Sequence, residues 1–479
     1  MSELKNKTAE GLAWGGFFSL LQQLLGVVFG ILIARKLAPS DYGMVGMLSI
    51  FVALASVLQD SGFVFVLTNR PSVSKKEYSS VFWLNVIISF SVYVLLFIGA
   101  PYLSVYYGKS ELTTLSRYVF LGFVFSSFGI VQSAYLYKQM RVKERGVASA
   151  LALIIAGTVG IVMAYNGFGY WGIATQGLLS ALVSTIVLWI YSPFRPTFVL
   201  DVKFIKAVLP EGVRYALPNF VSAISGNIYS LILGRFYTVS EVGYYNQATK
   251  LNTYGFSTTL GMVRNVSQPM LVQLKDNQQE CLKAFRKLVR FTAFASFPTM
   301  FGLSFVAPEL VTILLTPKWL YSACILRILC VGGAFVAINT LFSYYLVSQG
   351  RSSLYMYLGM VNSLISIFWA VVASFWGIMS LAYASTIWGI LALFIYYGFS
   401  KKSLGYTIMQ FANDILPMLL SVIIVIGIVY FMTNTIVNPF FLLFTKITMV
   451  AILFLGCMQM IHFDIYLEVK NMLVKKIKT

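Results

Sequence analysis

Two cations inside one predicted membrane span are the residues of this sequence with the clearest potential for binding chemistry. Lys250 and Arg264 lie in the stretch from Gly243 to Gln268, which also carries Asn246 and many hydroxyl and amide side chains. Such residues are costly against lipid, so they are expected to face protein or a water-filled cavity over a broad face. At 1.5 Å per residue, Lys250 lies roughly 10 Å below the outer edge and Arg264 near the inner mouth. A positive path of this kind suits an anionic substrate, such as a phosphate or pyrophosphate head group.

The alternative for both cations is that their long side chains snorkel to opposite interfaces. Asp60, near the inner end of the second predicted span, is an intramembrane carboxylate and therefore a further functional candidate. It could couple to a cation or proton, pair with Arg264, or be an interfacial carboxylate with a structural capping role at the inner mouth. Gln22 and Asn227, in the first and seventh predicted spans, add polar groups, with helix–helix hydrogen bonding as the alternative.

A short polar turn occurs twice, at residues 33–43 and 233–243, each time between two apolar runs. The positions that match in register are Arg35 with Arg235, Ser40 with Ser240, Asp41 with Glu241 and Gly43 with Gly243. Each arginine is expected to hold its turn through the acid. Chance similarity of short turns is the alternative, but a repeat at a fixed offset in a membrane protein indicates a transporter built from two related halves.

The composition defines the class of protein. Of the 479 residues, 58% are hydrophobic and only 11% are charged, whereas an ordinary soluble domain has about 25% charged residues. The mean hydropathy is +0.80. These values predict a multi-pass membrane protein. The net charge of +19 lies in loops and is interpreted as a topology signal, so no nucleic-acid partner is expected.

Apolar runs predict an all-α membrane fold of about fourteen transmembrane helices, since each span needs about 20 residues. Most of the 35 Lys and Arg residues fall on one side of these spans, which places both termini in the cytoplasm. The two turns then share the outer face, as parallel repeats require. The predicted domains are an N-lobe of helices 1–6 (1–191), a cytoplasmic linker (192–214), a C-lobe of helices 7–12 (215–400), and a C-terminal helix pair with a basic tail (401–479).

Catalytic and metal-binding patterns are missing from the sequence. It has no Walker-type phosphate loop, and its short outer loops hold no acid pair or Ser/His set. There is a single histidine, and the four cysteines form no CxxC motif. The N-terminal apolar run lacks a cleavage site and is interpreted as a span. The protein is therefore expected to be no enzyme and to need no metal or cofactor.

Several segments resemble the polysaccharide-transporter flippases of the Wzx type, and within them the colanic-acid exporter-like branch. The segments are Leu37-Ala38-Pro39-Ser40-Asp41-Tyr42-Gly43, Gln59-Asp60-Ser61-Gly62-Phe63, Tyr137-Lys138-Gln139-Met140-Arg141 and Gly243-Tyr244-Tyr245-Asn246-Gln247-Ala248. The resemblance covers nearly the whole chain. It implies membership of the multidrug/oligosaccharidyl-lipid/polysaccharide exporter superfamily, with two six-helix lobes facing a cavity lined by the first, second, seventh and eighth spans.

The resemblance also implies a function in the bacterial inner membrane. An undecaprenyl-pyrophosphate-linked oligosaccharide would cross from the inner to the outer leaflet by alternating access. Lys250 and Arg264 would then contact the pyrophosphate or an acidic sugar, and Asp60 would be a cavity carboxylate. Membrane lipid is an implied partner, and a polysaccharide polymerase and assembly proteins are further candidates.

Three other functions are open. A drug/cation antiporter of the same fold would have acids dominating its cavity. A glycan polymerase or ligase would need a large outer loop, and a scaffold in an assembly complex would not depend on cavity residues for transport.

Overall fold

The computed structural model describes residues 2–60, 67, 68, 70, 72–460, 463 and 465–467. Over this part of the chain the protein is all-α, which confirms the predicted fold class. The helices are α1 Ser2–Lys36, α2 Pro39–Gly46, α3 Ser49–Asp60, α4 Lys75–Tyr107, α5 Glu111–Lys138, α6 Val142–Tyr165, α7 Tyr170–Tyr191, α8 Val202–Phe236, α9 Val239–Gln273, α10 Gln278–Leu315, α11 Leu320–Ser348, α12 Ser352–Ala373, α13 Ile378–Leu404, α14 Ile408–Thr433 and α15 Pro439–Met460.

Thirteen helical segments of the described chain are long and apolar enough to cross a membrane, one fewer than the predicted fourteen. The segment that makes the difference is α9, which is 35 residues long but too rich in polar side chains to qualify by composition. The protein is thus a multi-pass helical membrane protein, and the exact span count, the sidedness and the cytoplasmic termini stay predictions.

The chain divides into two compact units, residues 1–243 and 244–479. Helix α8 belongs to the first unit because it packs against α3, where Ser49 Oγ and Ser230 Oγ are 2.6 Å apart. The segment predicted as a linker (192–214) contains the beginning of α8 at Val202. The predicted boundaries follow the sequence repeat rather than packing, and they remain a prediction.

Small residues bring the helices of the first unit together. The buried residues of α6 are all alanine or glycine: Gly146, Ala148, Ala150, Ala152, Ala156, Gly157, Gly160 and Ala164. Such residues let backbones approach closely, which is how helices associate where both partners are already surrounded by lipid. Helix α6 accordingly packs on both α1 and α7.

In the second unit, α10 packs against α11, α14 and α15. A charged cluster ties α10 to α14: Arg286 grips the Asp414 carboxylate with Nε–Oδ2 and Nη2–Oδ1 distances of 2.7 and 3.0 Å. Tyr406 Oη donates to the same carboxylate at 2.8 Å, and Arg290 Nε lies 3.3 Å from it. Asp414 is only 2% exposed, so these partners compensate a buried charge.

The two repeated turns meet at their glycines. A Cβ on Gly43 would overlap the carbonyl oxygen of Val239, and a Cβ on Gly243 would overlap the carbonyl oxygen of Pro39. Each turn therefore presses on the backbone of the other, and only hydrogen fits at the contact. In the first turn, the Asp41 carboxylate accepts a hydrogen bond from the Ala38 N–H at 2.9 Å and so caps α2.

We expect both Gly43→Ala and Gly243→Ala to destabilise the protein by about 1–3 kcal/mol or more, because overpacking against backbone cannot be relieved by a side-chain movement. The thermal midpoint of purified protein in detergent measures this loss. Gly177→Ala is the matched control, since a Cβ there meets nothing within 4 Å and alanine favours the helix. An unchanged midpoint for Gly43→Ala would contradict the close contact.

Candidate functional site

Helix α9 carries both predicted cations and begins at a closed polar turn. Glu241 Oε2 accepts a hydrogen bond from the Thr238 N–H at 2.9 Å, and Thr238 Oγ1 accepts one from the Glu241 N–H at 3.3 Å. This reciprocal pair caps the first turn of the helix. Arg235, which was expected to bond Glu241, donates instead from Nη1 to the carbonyl oxygen of Tyr106 at 2.6 Å. The role assigned to Arg35 in the first turn stays a prediction.

Because α9 is continuous from Val239 to Gln273, its spacing shows which residues share a side. Asn246, Lys250, Thr253, Ser257 and Arg264 follow one another at intervals of four, three, four and seven residues, which places them on one helix face. We call these five residues the cationic face. Both cations have side chains with accessible surface, although protein atoms surround Lys250 on most sides. The two residues lie about 21 Å apart along the helix axis.

The opposite side of α9 packs against its neighbours in the second unit. A Cβ on Gly255 would lie 2.8 Å from Leu303 Cδ2 in α10, and one on Gly333 in α11 would lie 2.7 Å from Asn252 Oδ1. Ser322 Oγ donates to the Tyr244 carbonyl oxygen at 3.0 Å. Asn252 therefore faces protein, contrary to the expectation of a broad wet face, whereas Thr258 is exposed outside the stripe that carries the two cations.

Two buried polar atoms on residues near Lys250 form no hydrogen bond within the described part of the chain. Asn246 Nδ2 and Thr249 Oγ1 are buried and have no hydrogen-bond partner among the described residues. Buried polar groups nearly always find a partner, in protein, water or ligand. Thr249 and Asn246 lie three residues apart, so an amide donor, a hydroxyl and an ammonium group are presented within about one turn of helix.

The other predicted binding residues lie elsewhere. Asn227 Nδ2 donates to the Ala223 carbonyl oxygen of its own helix at 3.0 Å, which is a structural bond. Gln22 lines a polar cavity of the first unit together with Arg145. Asp60 ends α3, but its side chain lies outside the described structure, so its predicted role is a proposal only.

One intramembrane ion pair was missed by sequence reasoning. A cation inside a span ordinarily snorkels toward the interface, and the side chain of Arg327 is exposed. Lys446 is instead 8% exposed, and its Nζ lies 2.7 Å from Glu309 Oε1 and 4.4 Å from the centre of the Phe305 ring. Glu309 lies about 9 Å before the end of α10, and Lys446 about 10.5 Å after the beginning of α15. The signal available in sequence was an acid and a cation at similar depth in two spans.

Sequence comparison identifies related proteins. The model of the family described as "Polysaccharide biosynthesis protein" matches residues 32–324. The chain is 22% identical over 370 residues to the teichuronic acid biosynthesis protein TuaB of Bacillus subtilis, covering 74% of each protein. It is 23% identical over 354 residues to the lipopolysaccharide biosynthesis protein WzxC of Escherichia coli, covering 73% of this chain and 71% of WzxC.

The fold also matches a solved structure. The lipid II flippase MurJ, in an inward closed conformation, superposes with a TM-score of 0.76 over 94% of this chain and 99% of MurJ, at 16% sequence identity. At this identity the likeness concerns the fold alone. The helices described above therefore follow the architecture of a known membrane transporter.

Proposed function

This chain belongs to the family of polysaccharide biosynthesis proteins, and we propose that it is a flippase that carries an undecaprenyl-pyrophosphate-linked oligosaccharide across the bacterial inner membrane by alternating access. The observation that carries the proposal is the cationic face of α9. Lys250 and Arg264 stand on one exposed side of a helix embedded among apolar spans. Two cations in that position need an anion or water, and a lipid pyrophosphate supplies the anion.

The physical task fits this arrangement. A glycan head group cannot cross about 30 Å of hydrocarbon unaided, whereas its lipid tail can stay in the bilayer throughout. Polar side chains along α9 offer successive weak contacts over about 21 Å, from Lys250 to Arg264. Weak contact at several points lets the head group move on after each step.

The antiporter alternative is less well supported by the charges. A drug or metal cation would need carboxylates along its path, but the cationic face carries two basic residues. Glu309 and Asp414, two carboxylates inside described spans, are held by Lys446 and Arg286. Their negative charge is therefore already compensated.

Reconstitution into liposomes tests the proposal. Undecaprenyl-pyrophosphate carrying a fluorescent oligosaccharide is placed in the membrane, and an impermeant quencher added outside reports the fraction in the outer leaflet over time. We expect faster equilibration between leaflets than in protein-free liposomes. Equal rates, together with uptake of a lipophilic cation against a proton or sodium gradient, would favour the antiporter instead.

A further inference from the structure

The polar cavity that Gln22 and Arg145 line lies wholly within the first unit, between α1, α5, α6 and α7. Its volume is about 320 Å³, and its polar lining residues are Ser19, Gln22, Ser133, Arg145, Ser149 and Ser184. The space between packed membrane helices is normally lined by apolar side chains. Four hydroxyls, an amide and a guanidinium around one cavity therefore indicate a polar occupant. This volume is at the lower end of the range for small-ligand sites, about 300–1,000 Å³.

Arg145 is the charged group of this cavity, and most of the hydrogen-bond donors of its guanidinium are not used by the described protein groups. Its Nε donates to Ser133 Oγ at 3.0 Å, and its Cζ lies 4.9 Å from the centre of the Tyr137 ring. Among the residues that the structure describes, no carboxylate pairs with it. The ring and the serine hold the planar group in place while the two Nη atoms keep their donor capacity.

Lys138 and Arg141, two basic residues close to Arg145 in sequence, have acceptors within the described protein, unlike the two Nη atoms of Arg145. Lys138 donates to the carbonyl oxygens of Leu67 and Arg70 at 3.1 and 2.7 Å. Arg141 bonds Glu144 at 2.8 Å. Both cations are therefore engaged by protein acceptors, and Arg145 differs in lining an open cavity.

Close packing of α1 on α6 forms one wall of the cavity. A Cβ on Gly146 would overlap the Phe18 ring, so the glycine next to Arg145 lets α1 come close and form one wall. Arg145 and Ser149 lie on successive turns of the same side of α6. Arg145 is in the first turn of α6, on the side that the charge distribution predicts to be cytoplasmic.

We propose that the Arg145 cavity binds the phosphate of a lipid-linked substrate as it enters from the inner leaflet; the identity of that lipid rests on the proposed function. A guanidinium fork matches two phosphate oxygens at once, and the hydroxyls of Ser19, Ser133 and Ser184 and the Gln22 amide donate to the others. The Ser149 hydroxyl already donates to the Arg145 carbonyl oxygen at 3.2 Å. The cavity is thus a second phosphate site, on different helices from the cationic face of α9. Its position near the helix ends suits capture of the head group before translocation.

Binding to purified protein tests this assignment without relying on transport. Native mass spectrometry measures Kd for three probes: undecaprenyl pyrophosphate, phosphatidylglycerol and inorganic pyrophosphate. Arg145→Ala is expected to raise the Kd for undecaprenyl pyrophosphate about tenfold, and Arg145→Lys by less. Arg141→Ala, which removes a cation already paired with Glu144, is the matched control and should leave it unchanged.

Three results would overturn the assignment: equal binding of undecaprenyl pyrophosphate by wild type and Arg145→Ala, an effect confined to phosphatidylglycerol, or the same loss for all three probes. Should Arg145→Ala misfold, Ser149→Leu fills the cavity and keeps the arginine, and unchanged binding in that variant would equally refute it. Failure of the wild type to move the glycan lipid, with Arg145-dependent binding retained, would count against the proposed function alone.

Discussion

Lys250→Ala is expected to slow translocation of the lipid-linked glycan by as much as a hundredfold while leaving the amount of protein in the membrane unchanged. A hydrogen bond to a charged group contributes about 1.5–3 kcal/mol, and Lys250 is the ammonium group of the cationic face. Asn246 and Thr249, which flank it, offer only neutral bonds. The rate in the liposome quenching assay measures the effect directly.

The controls for this prediction use charge and position. Lys250→Arg keeps the cation and should retain part of the activity. Lys283→Ala removes an exposed lysine whose partner in the described part of the chain is Glu280, at 3.0 Å, in a surface pair three residues apart. Such a pair contributes about 0–1 kcal/mol and should be dispensable. Normal translocation by Lys250→Ala would mean that this side chain merely reaches toward an interface.

Lys446→Met is expected to destabilise the second unit by about 3–5 kcal/mol, because it leaves the Glu309 carboxylate buried without its countercharge. Glu309 Oε2 is already buried and without a hydrogen-bond partner in the described structure, so the carboxylate depends on Lys446 through Oε1. The measurement is the thermal midpoint in detergent, and the loss should appear as a drop of several degrees.

The double variant separates charge pairing from packing. Glu309→Gln together with Lys446→Met removes both charges and should recover most of the stability, since apolar or neutral replacement of a buried ion pair is often close to neutral. If the double variant is as unstable as the sum of the two single variants, the residues act through packing and the ion pair is not the stabilising element. Translocation by the double variant would further show that these charges serve the attachment of α15 and not transport.

Helix α9 illustrates where sequence reasoning succeeded and where it fell short. The sequence predicted a span with two intramembrane cations, because polar residues interrupt an apolar chain in a recognisable way. It did not show that Asn252 faces α11 while Lys250 and Arg264 share an exposed side. That distinction requires knowing that the helix is unbroken from Val239 to Gln273 and which of its faces α10 and α11 cover.

The glycine turns show the same division at a second place. The match between Gly43 and Gly243 is visible in the amino-acid sequence alone. The contact between the turns, in which the Val239 and Pro39 carbonyl oxygens leave no room for a Cβ on Gly43 and Gly243, depends on where α8 and α2 bring the two turns in space. Sequence similarity between two turns carries no information about the distance between them.

The sequence alone determined the class, the helical architecture and the membrane environment, because these depend on composition and on apolar runs that each act locally along the chain. It also determined the family, through short motifs in a characteristic order. Only the tertiary structure decided that Lys446 pairs with Glu309, 137 residues away, and that Arg145 lines a cavity formed with α1. The partner of a charge inside a membrane is set by how distant helices pack, and small residues such as Gly146 control that packing without revealing, in sequence, which helix they will meet.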